Sequence, residues 1–370
     1  MARQKKVSRR VKRKISLALQ GGGAHGAFTW GVLDRLLEDG RFEISGVSGT
    51  SAGAMNAVAM ADGFAQGGNE GARDKLEQFW LAVADRARLS PLKRAPIDVW
   101  LGNWSLDRSP GVVLMDVLSR LVSPYDFNPL GINPLRNIVE ELIDFERINA
   151  LEVPKIFVAA TNVQDGHVRV FKNRELSVDT VMASASLPYL FKAVELEDQS
   201  YWDGGYVANP VLFPYVYECD ADDVILIQIN PVERPETPKT ARDIANRVDE
   251  ITFNSSLLRE LRALSFVTKA LETGSKLPKG FRPLHIHRIE AGSDLVAVTA
   301  SSKLNIESGF VRHLQEIGRN AADQWLAKNG KMIGKRSSFD PLGGMPLFPD
   351  SNRPDMGLGN MVGRLKRLAS

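Results

Sequence analysis

The sequence predicts an α/β protein with a mainly parallel sheet, on three observations. Short apolar runs that end at glycine or proline indicate buried strands, as in residues 15–20 (ISLALQ) and 222–231 (DDVILIQINP). The first run and the run at 42–49 (FEISGVSG) are each followed by a helical pattern. Alternation of buried strands and helices is typical of parallel pairing in a layered α/β architecture.

The elements can be read along the chain in order. Phe28, Val32 and Leu36 recur at helical spacing and predict a first helix that ends at Gly40. A small-residue helix follows the second strand from residue 51, and an amphipathic helix covers residues 70–89. A QDG turn predicts a hairpin between two later strands. The remaining elements are predicted as strands at 154–163, 167–173, 199–203, 222–231 and 283–290 and helices at 179–188, 240–272 and 306–328.

Composition shifts predict the domain organisation. We expect a basic disordered arm at residues 1–13, one large domain at 14–330, and a loosely ordered basic, Gly- and Pro-rich tail at 331–370. Within the domain, recurring prolines and short helical pieces at 90–150 predict a helical, cap-like insertion. This insertion would either cover the sheet edge as a cap or add to the core packing.

Charge and cysteine content indicate the compartment and the partners. The 370-residue chain has a net charge of +3, yet its first fourteen residues hold eight Lys or Arg and no acid. The following apolar run is too short for a signal peptide, and a single cysteine, Cys219, suits a reducing cytoplasm. We therefore expect a cytoplasmic protein. Its basic arm is either a solvated tail or a peripheral contact with anionic membrane lipids. No nucleic-acid module accompanies the charge, and no oligomeric state is predicted.

A glycine-rich loop, QGGGAHGAFTWG, occupies residues 20–31. It fits the pattern GxGxxG through Gly21, Gly23 and Gly26, between a strand and a helix, which is the context of a dinucleotide-binding loop. That reading also requires an acid near the end of the second strand, and Glu43 instead opens that strand. The loop alone leaves two ligands open: a nucleotide phosphate, or an oxyanion formed during a reaction.

The sequence GTSAG at residues 49–53 fits the nucleophile elbow G-x-S-x-G. Ser51 would occupy a tight strand-to-helix turn, which requires small residues at Gly49 and Gly53. The helix that follows places its positive N-terminal end beneath the serine. Context therefore favours a nucleophilic serine over an inert small-residue turn.

A serine nucleophile needs a base. Of the five histidines, His285 and His287 alternate in a strand-like run and His313 lies in a predicted helix, so none lies in a typical catalytic loop. Asp203 ends an aromatic strand in Asp-Gly-Gly, a tight turn that could direct its carboxylate into a cleft. An ordinary Asp-Gly turn stays an alternative for this motif taken alone.

Taken together, the motifs GGGAHG, GTSAG and DGG, in this order, resemble the patatin-like phospholipase family. The segment MASASLPYLF and the pair Asn209-Pro210 match it as well, and the resemblance covers about residues 14–230. It implies a three-layer α/β/α fold with a mainly parallel central sheet.

The resemblance also implies the site and its chemistry. Ser51 would be the nucleophile and Asp203 the general base of a Ser-Asp dyad. The substrate would be a lipid or other fatty-acyl ester, with no cofactor and no metal. The other implied residues are the oxyanion-hole loop and the aspartate turn, namely Gly21, Gly22, Gly23, Ala24, Gly26, Gly204 and Gly205. The family commonly has Arg or Lys where His25 stands, so a phosphate preference carried by that position is not implied here.

Three other functions are compatible with parts of the sequence. A Ser-His-Asp hydrolase would pair Ser51 with His285, His287 or His313. A nicotinamide-dependent oxidoreductase would use the glycine loop but leave GTSAG and DGG without a role. A non-catalytic lipid-binding protein would retain the motifs without turnover.

Overall fold

The computed structural model describes residues 12–341 except 89, 235, 273, 275–280, 293–294 and 296–298. The predicted basic arm at 1–13 therefore lies almost entirely outside the described residues, as does the tail beyond residue 341. No described helix combines the length and the apolar character needed to cross a membrane.

A single mixed sheet organises the chain, and its central strands are parallel. The strands are β1 Arg13–Leu19, β2 Phe42–Gly49, β3 Lys155–Asn162, β4 Val168–Lys172, β5 Val194–Leu196, β6 Gln199–Asp203, β7 Asp223–Gln228 and β8 His285–Glu290. The strand order is β5-β6-β3-β2-β1-β7-β8, with β4 paired to β3. Strands β3, β2, β1, β7 and β8 run parallel, while β4, β5 and β6 are antiparallel to their neighbours.

Helices cover both faces of the sheet. The helices are α1 Gly26–Asp39, α2 Ala52–Arg86, α3 Pro96–Trp100, α4 Pro110–Leu121, α5 Pro124–Phe127, α6 Pro134–Leu142, α7 Phe145–Asn149, α8 Val178–Ser184, α9 Pro214–Glu218, α10 Ala241–Glu272 and α11 Ser308–Asn329. Helices α1, α2 and α11 pack on one face through a core that includes Phe28, Leu76 and Phe310. The second core lies between the other face and α9 and α10; it contains Leu257 and the buried Cys219, which forms no disulfide.

The predicted α/β class and mainly parallel sheet are confirmed. Helix α1 ends at Gly40, whose φ of 67° gives the left-handed C-terminal cap that glycine favours. The predicted hairpin is the antiparallel pair β3–β4. The two helices predicted after Ser51 form one element, α2, interrupted at Gly67 and Gly68 where the backbone leaves helical geometry.

Residues 96–149 form five short helices rather than a strand or a long helix. Prolines open the first four of these helices, at positions 96, 110, 124 and 134. Proline is favoured at the first helical position because its missing N–H would lack a partner there. Four of the six prolines that mark residues 90–150 in the sequence are thus helix starts.

The topology brings the segments that follow three neighbouring strands to one edge of the sheet. Strands β2, β1 and β7 are adjacent and parallel, so their carboxyl ends coincide. Those ends lead into Ser51, Gly21 and Asn230. Strand β6 brings in Asp203 opposite Ala160, close to the carboxyl end of β3.

Candidate active site

Ser51 occupies a strained turn between β2 and α2. Its φ of 53° and ψ of −122° are rare for a side chain larger than glycine. Such geometry costs on the order of 1–3 kcal/mol and is typical of functional sites. The turn is tightly packed: a Cβ at Gly53 would lie 2.1 Å from the Leu19 carbonyl oxygen, and one at Gly49 would lie 2.4 Å from the Gly53 oxygen. The sequence therefore needs both glycines to hold Ser51 in the turn.

Asp203 lies buried beside Ser51 with its backbone fixed on two sides. Its N–H donates to the Ser186 carbonyl at 2.8 Å, and its own carbonyl accepts from Thr161 Oγ1 at 2.7 Å. The carboxylate accepts a hydrogen bond from the Gly205 N–H at 2.7 Å. The Ser51 side chain interacts with the same carboxylate and lowers its pKa. The Asp-Gly-Gly turn therefore directs the carboxylate at the elbow serine.

Burial changes the proton affinity of this carboxylate. Loss of hydration raises the pKa of Asp203 from 3.8 to about 6, against the lowering effects of the Gly205 hydrogen bond and of the Ser51 side chain. A carboxylate with this pKa is ionised at neutral pH and is a stronger base than an ordinary aspartate. The pairing of a serine with a tuned carboxylate can support nucleophilic catalysis.

The glycine loop supplies backbone N–H groups next to Ser51. A Cβ at Gly21 would lie 2.8 Å from Ser51 Cβ, so only glycine allows this approach. The loop continues into a 3₁₀ turn at Gly23–His25, and the first N–H groups of such a turn have no partner within it. These groups belong to Gly22, Gly23 and Ala24.

Two residues of the predicted oxyanion-hole group have other roles. The Gly21 N–H donates to Asn209 Oδ1 at 2.7 Å, and the Gly26 N–H donates back into the 3₁₀ turn. Gly26 instead allows close packing, since a Cβ there would lie 2.8 Å from the Cβ of Ala52. Of the five predicted oxyanion-hole residues, only Gly22, Gly23 and Ala24 therefore keep a backbone N–H that is suitable as a donor to an oxyanion.

A buried polar network supports the loop from beneath. Lys303 Nζ donates to Asn230 Oδ1 at 2.8 Å, and Asn230 Nδ2 donates to the Gly21 carbonyl at 2.7 Å. Gln20 Oε1 accepts from the Asn230 N–H at 2.9 Å. The Lys303 carbonyl oxygen packs against Gly23, since a Cβ on Gly23 would lie 2.4 Å from that oxygen. The φ of Gly23 is +59°. Segments far apart in sequence thus fix the loop.

His25 adds no positive charge to the loop. It is 3% exposed, and its Nε2 lies 2.7 Å from Ser302 Oγ. Burial, and then the nearby Lys303 and Arg234, lower the pKa of His25 to about 3. The imidazole is therefore neutral at physiological pH and acts as a structural link to residues 300–304.

The late histidines lie away from Ser51. His285 opens β8 opposite Asp223, at the amino ends of the strands. His287 Nε2 lies 2.9 Å from Asp223 Oδ1, and its Nδ1 lies 2.8 Å from Ser338 Oγ. His313 stacks on Trp104, with ring centroids 5.9 Å apart. This geometry gives no support to a Ser-His-Asp triad.

Sequence reasoning missed several residues that hold the site. Ser184 Oγ accepts the Ser51 N–H at 3.0 Å, and it lies in the quoted segment MASASLPYLF, so a signal existed. The sequence marks Asn209 only as part of the Asn209-Pro210 pair and not as the acceptor of the Gly21 N–H. For Asn230 and Lys303 the sequence carries no signal, because their role depends on tertiary contacts with a loop more than 200 positions earlier.

A mostly parallel sheet, covered by helices and carrying a serine in a strand-to-helix turn, is an arrangement found in α/β serine hydrolases. The sequence model of the patatin-like phospholipase family matches residues 17–215. The chain belongs to this family of lipid acyl hydrolases. Among solved structures, VipD from Legionella pneumophila is a weak neighbour at 15% identity and a TM-score of 0.39; the match covers 85% of this chain and 67% of VipD.

Proposed function

We propose that this protein is a serine esterase that hydrolyses carboxylic ester bonds of phospholipids or related lipids, using Ser51 as nucleophile and Asp203 as general base. One observation carries the proposal: a serine on a strained elbow lies beside a buried carboxylate that interacts with it and has a pKa of about 6. Family membership supports a lipid ester as the substrate.

The first half-reaction forms an acyl-enzyme. Ser51 Oγ attacks the acyl carbonyl carbon while the Asp203 carboxylate accepts the hydroxyl proton. The tetrahedral intermediate then collapses, the ester C–O bond breaks, and the departing alcohol takes the proton from Asp203. The N-terminal end of α2 lies at Ser51 and favours negative charge there.

The second half-reaction releases the fatty acid. Asp203 accepts a proton from a water molecule, whose oxygen attacks the acyl-enzyme carbonyl. Collapse of this intermediate returns the proton to Ser51 Oγ and frees the acid. In both steps the N–H groups of Gly22, Gly23 and Ala24 would donate to the oxyanion, which in other hydrolases contributes about 3 kcal/mol per donor.

The test is fatty-acid release from a panel of phospholipids, lysophospholipids and neutral esters. We expect turnover by the full-length wild type and a loss of at least about 10³-fold in both Ser51→Ala and Asp203→Asn. A fluorophosphonate reagent should label Ser51 of the wild type, as read by peptide mass spectrometry.

Asp198→Asn serves as the matched control. Asp198 is exposed in the turn before β6, so this variant makes the same chemical change on the same hairpin without touching the carboxylate at the elbow. Activity that survives Ser51→Ala would contradict the proposed nucleophile. Lipid binding without turnover or labelling in the wild type would instead favour a non-catalytic lipid-binding protein.

A further inference from the structure

The 96–149 segment exposes an unusual amount of apolar surface. Thirteen of the twenty-two large hydrophobic side chains that are exposed in the described part of the chain lie between residues 97 and 132. Exposed apolar groups concentrated in this way mark interaction surfaces. We define the insertion surface by its five most exposed members, Trp100, Leu114, Leu121, Leu130 and Ile132.

Helix α4 shows that this exposure follows a pattern. Val112 is buried and fixes one side of the helix to the protein. Leu114, Leu118 and Leu121 recur at spacings of four and three and are all exposed, so they share the outward face. A helix whose outward face is apolar requires a non-aqueous neighbour.

The insertion surface is linked to the Ser51–Asp203 pair through residues 184–193. At its start, this segment accepts hydrogen bonds from the backbone N–H groups of Ser51 and Asp203. At its end, Lys192 Nζ donates to the Pro129 carbonyl at 2.6 Å and lies over the ring of Tyr125. Pro129 directly precedes Leu130 of the insertion surface.

A second link connects the same surface to the glycine loop. The Leu106 N–H donates to Ser301 Oγ at 3.0 Å, and Asn305 Nδ2 donates to the Trp104 carbonyl at 3.0 Å. Ser301 and Asn305 flank the residues that hold His25 and Gly23. Both links therefore join the insertion that carries this surface to segments that contact the candidate site.

We propose that the insertion surface docks on a phospholipid bilayer and so brings the candidate site to its lipid. Two features fit a bilayer, and a third favours it over a protein partner. Trp100 and Tyr125 are exposed aromatic side chains of the types enriched at membrane interfaces. Leu121 and Leu130 are 77% and 83% exposed, as expected for side chains that enter the acyl boundary. The surface is also continuous with a site in a family of lipid acyl hydrolases, and to that extent the inference rests on the proposed function.

The experiment measures binding of full-length Ser51→Ala protein to phosphatidylcholine vesicles, with and without phosphatidylglycerol, by flotation. The Ser51→Ala change prevents hydrolysis during the assay. Adding Leu121→Lys and Leu130→Lys should lower vesicle binding at least about tenfold, because two exposed apolar contacts become charged. Tyr217→Lys is the matched control. Tyr217 is 60% exposed but lies in α9, which precedes β7 and therefore lies near the amino ends of the parallel strands, whereas the candidate site lies at their carboxyl ends.

A second measurement separates docking from chemistry. In the wild-type background, the two lysine variants should hydrolyse a water-soluble short-chain ester within about twofold of the wild-type rate, because neither residue contacts Ser51 or Asp203. Loss of vesicle binding with unchanged hydrolysis supports the proposal. If the wild type hydrolyses no ester but its binding still depends on Leu121 and Leu130, the proposed function fails while the docking surface stands.

Two outcomes would overturn the docking surface. One is vesicle binding that the lysine variants leave unchanged or that Tyr217→Lys lowers to the same extent. The other is self-association that sedimentation detects in the Ser51→Ala protein and that Leu121→Lys abolishes, which would assign the surface to a second copy of the chain.

Discussion

The pKa of Asp203 predicts an acid limit on activity. A general base must be ionised, and burial places the pKa of this carboxyl at about 6 rather than 3.8. The ionised fraction then falls from about 90% near pH 7 to about 10% near pH 5, so kcat/KM should drop about tenfold over that range. With a pKa of 3.8 the same change in pH would lower activity by less than about a tenth.

The assay uses an uncharged, water-soluble ester, so that only enzyme groups titrate, and determines kcat/KM between about pH 5 and 8 at constant ionic strength. Phe253→Ala is the informative variant. The Phe253 ring packs against Gly205, next to the carboxylate. Removing it admits water, which should lower the pKa of Asp203 and move the acid limit to lower pH. A wild-type profile that is flat down to about pH 5 would refute the assignment of Asp203 as a base with a raised pKa.

Three further predictions concern Asp203, Gly23 and Lys303. Because the folded carboxyl binds its proton more tightly than the unfolded one, wild-type stability falls as pH rises from 3.8 to about 6. Urea unfolding should therefore show Asp203→Asn up to about 3 kcal/mol more stable than wild type near pH 8, with no gain near pH 3. Gly23→Ala should lower kcat about 10²-fold or more while circular dichroism shows a folded protein. The new Cβ would collide with the Lys303 carbonyl and so displace the backbone N–H donors of the glycine loop. An unchanged kcat would argue against the role of this loop in catalysis. Lys303→Met frees Asn230 beneath the loop and should lower kcat about tenfold with little change in KM, as steady-state kinetics would show; a rise in KM alone would contradict a positioning role.

The sheet and the strand-to-helix turn at Ser51 can be predicted from the sequence because their causes are local. Ser51 needs small neighbours on both sides, and the strand and helix around it have distinct periodicities. The support of the glycine loop is different. Whether Asn230 contacts Gly21 depends on the pairing of β7 with β1, and whether Lys303 reaches Asn230 depends on a later turn. Buried polar networks of this kind leave no periodic trace in the sequence.

His25 illustrates an intermediate case. The sequence has a histidine, which can be neutral, where the family commonly has Arg or Lys, so it implies no fixed positive charge at that position. Only the fold reveals that the imidazole is enclosed and bonded to Ser302, 277 positions away. Its proton affinity follows from that enclosure rather than from the residue type.

The part of the chain that matches the family is shorter than the part that folds as one domain, as the position of β1 in the sheet shows. The family match ends at residue 215, yet β1 is central only because β7 pairs with it from beyond that point. A chain cut at residue 215 would keep every sequence motif of the family. It would also expose the edge of β1 and the face of α1 that α11 covers. Such a fragment would carry the family's signature and aggregate, so the boundaries that homology draws are not those at which this protein can be divided.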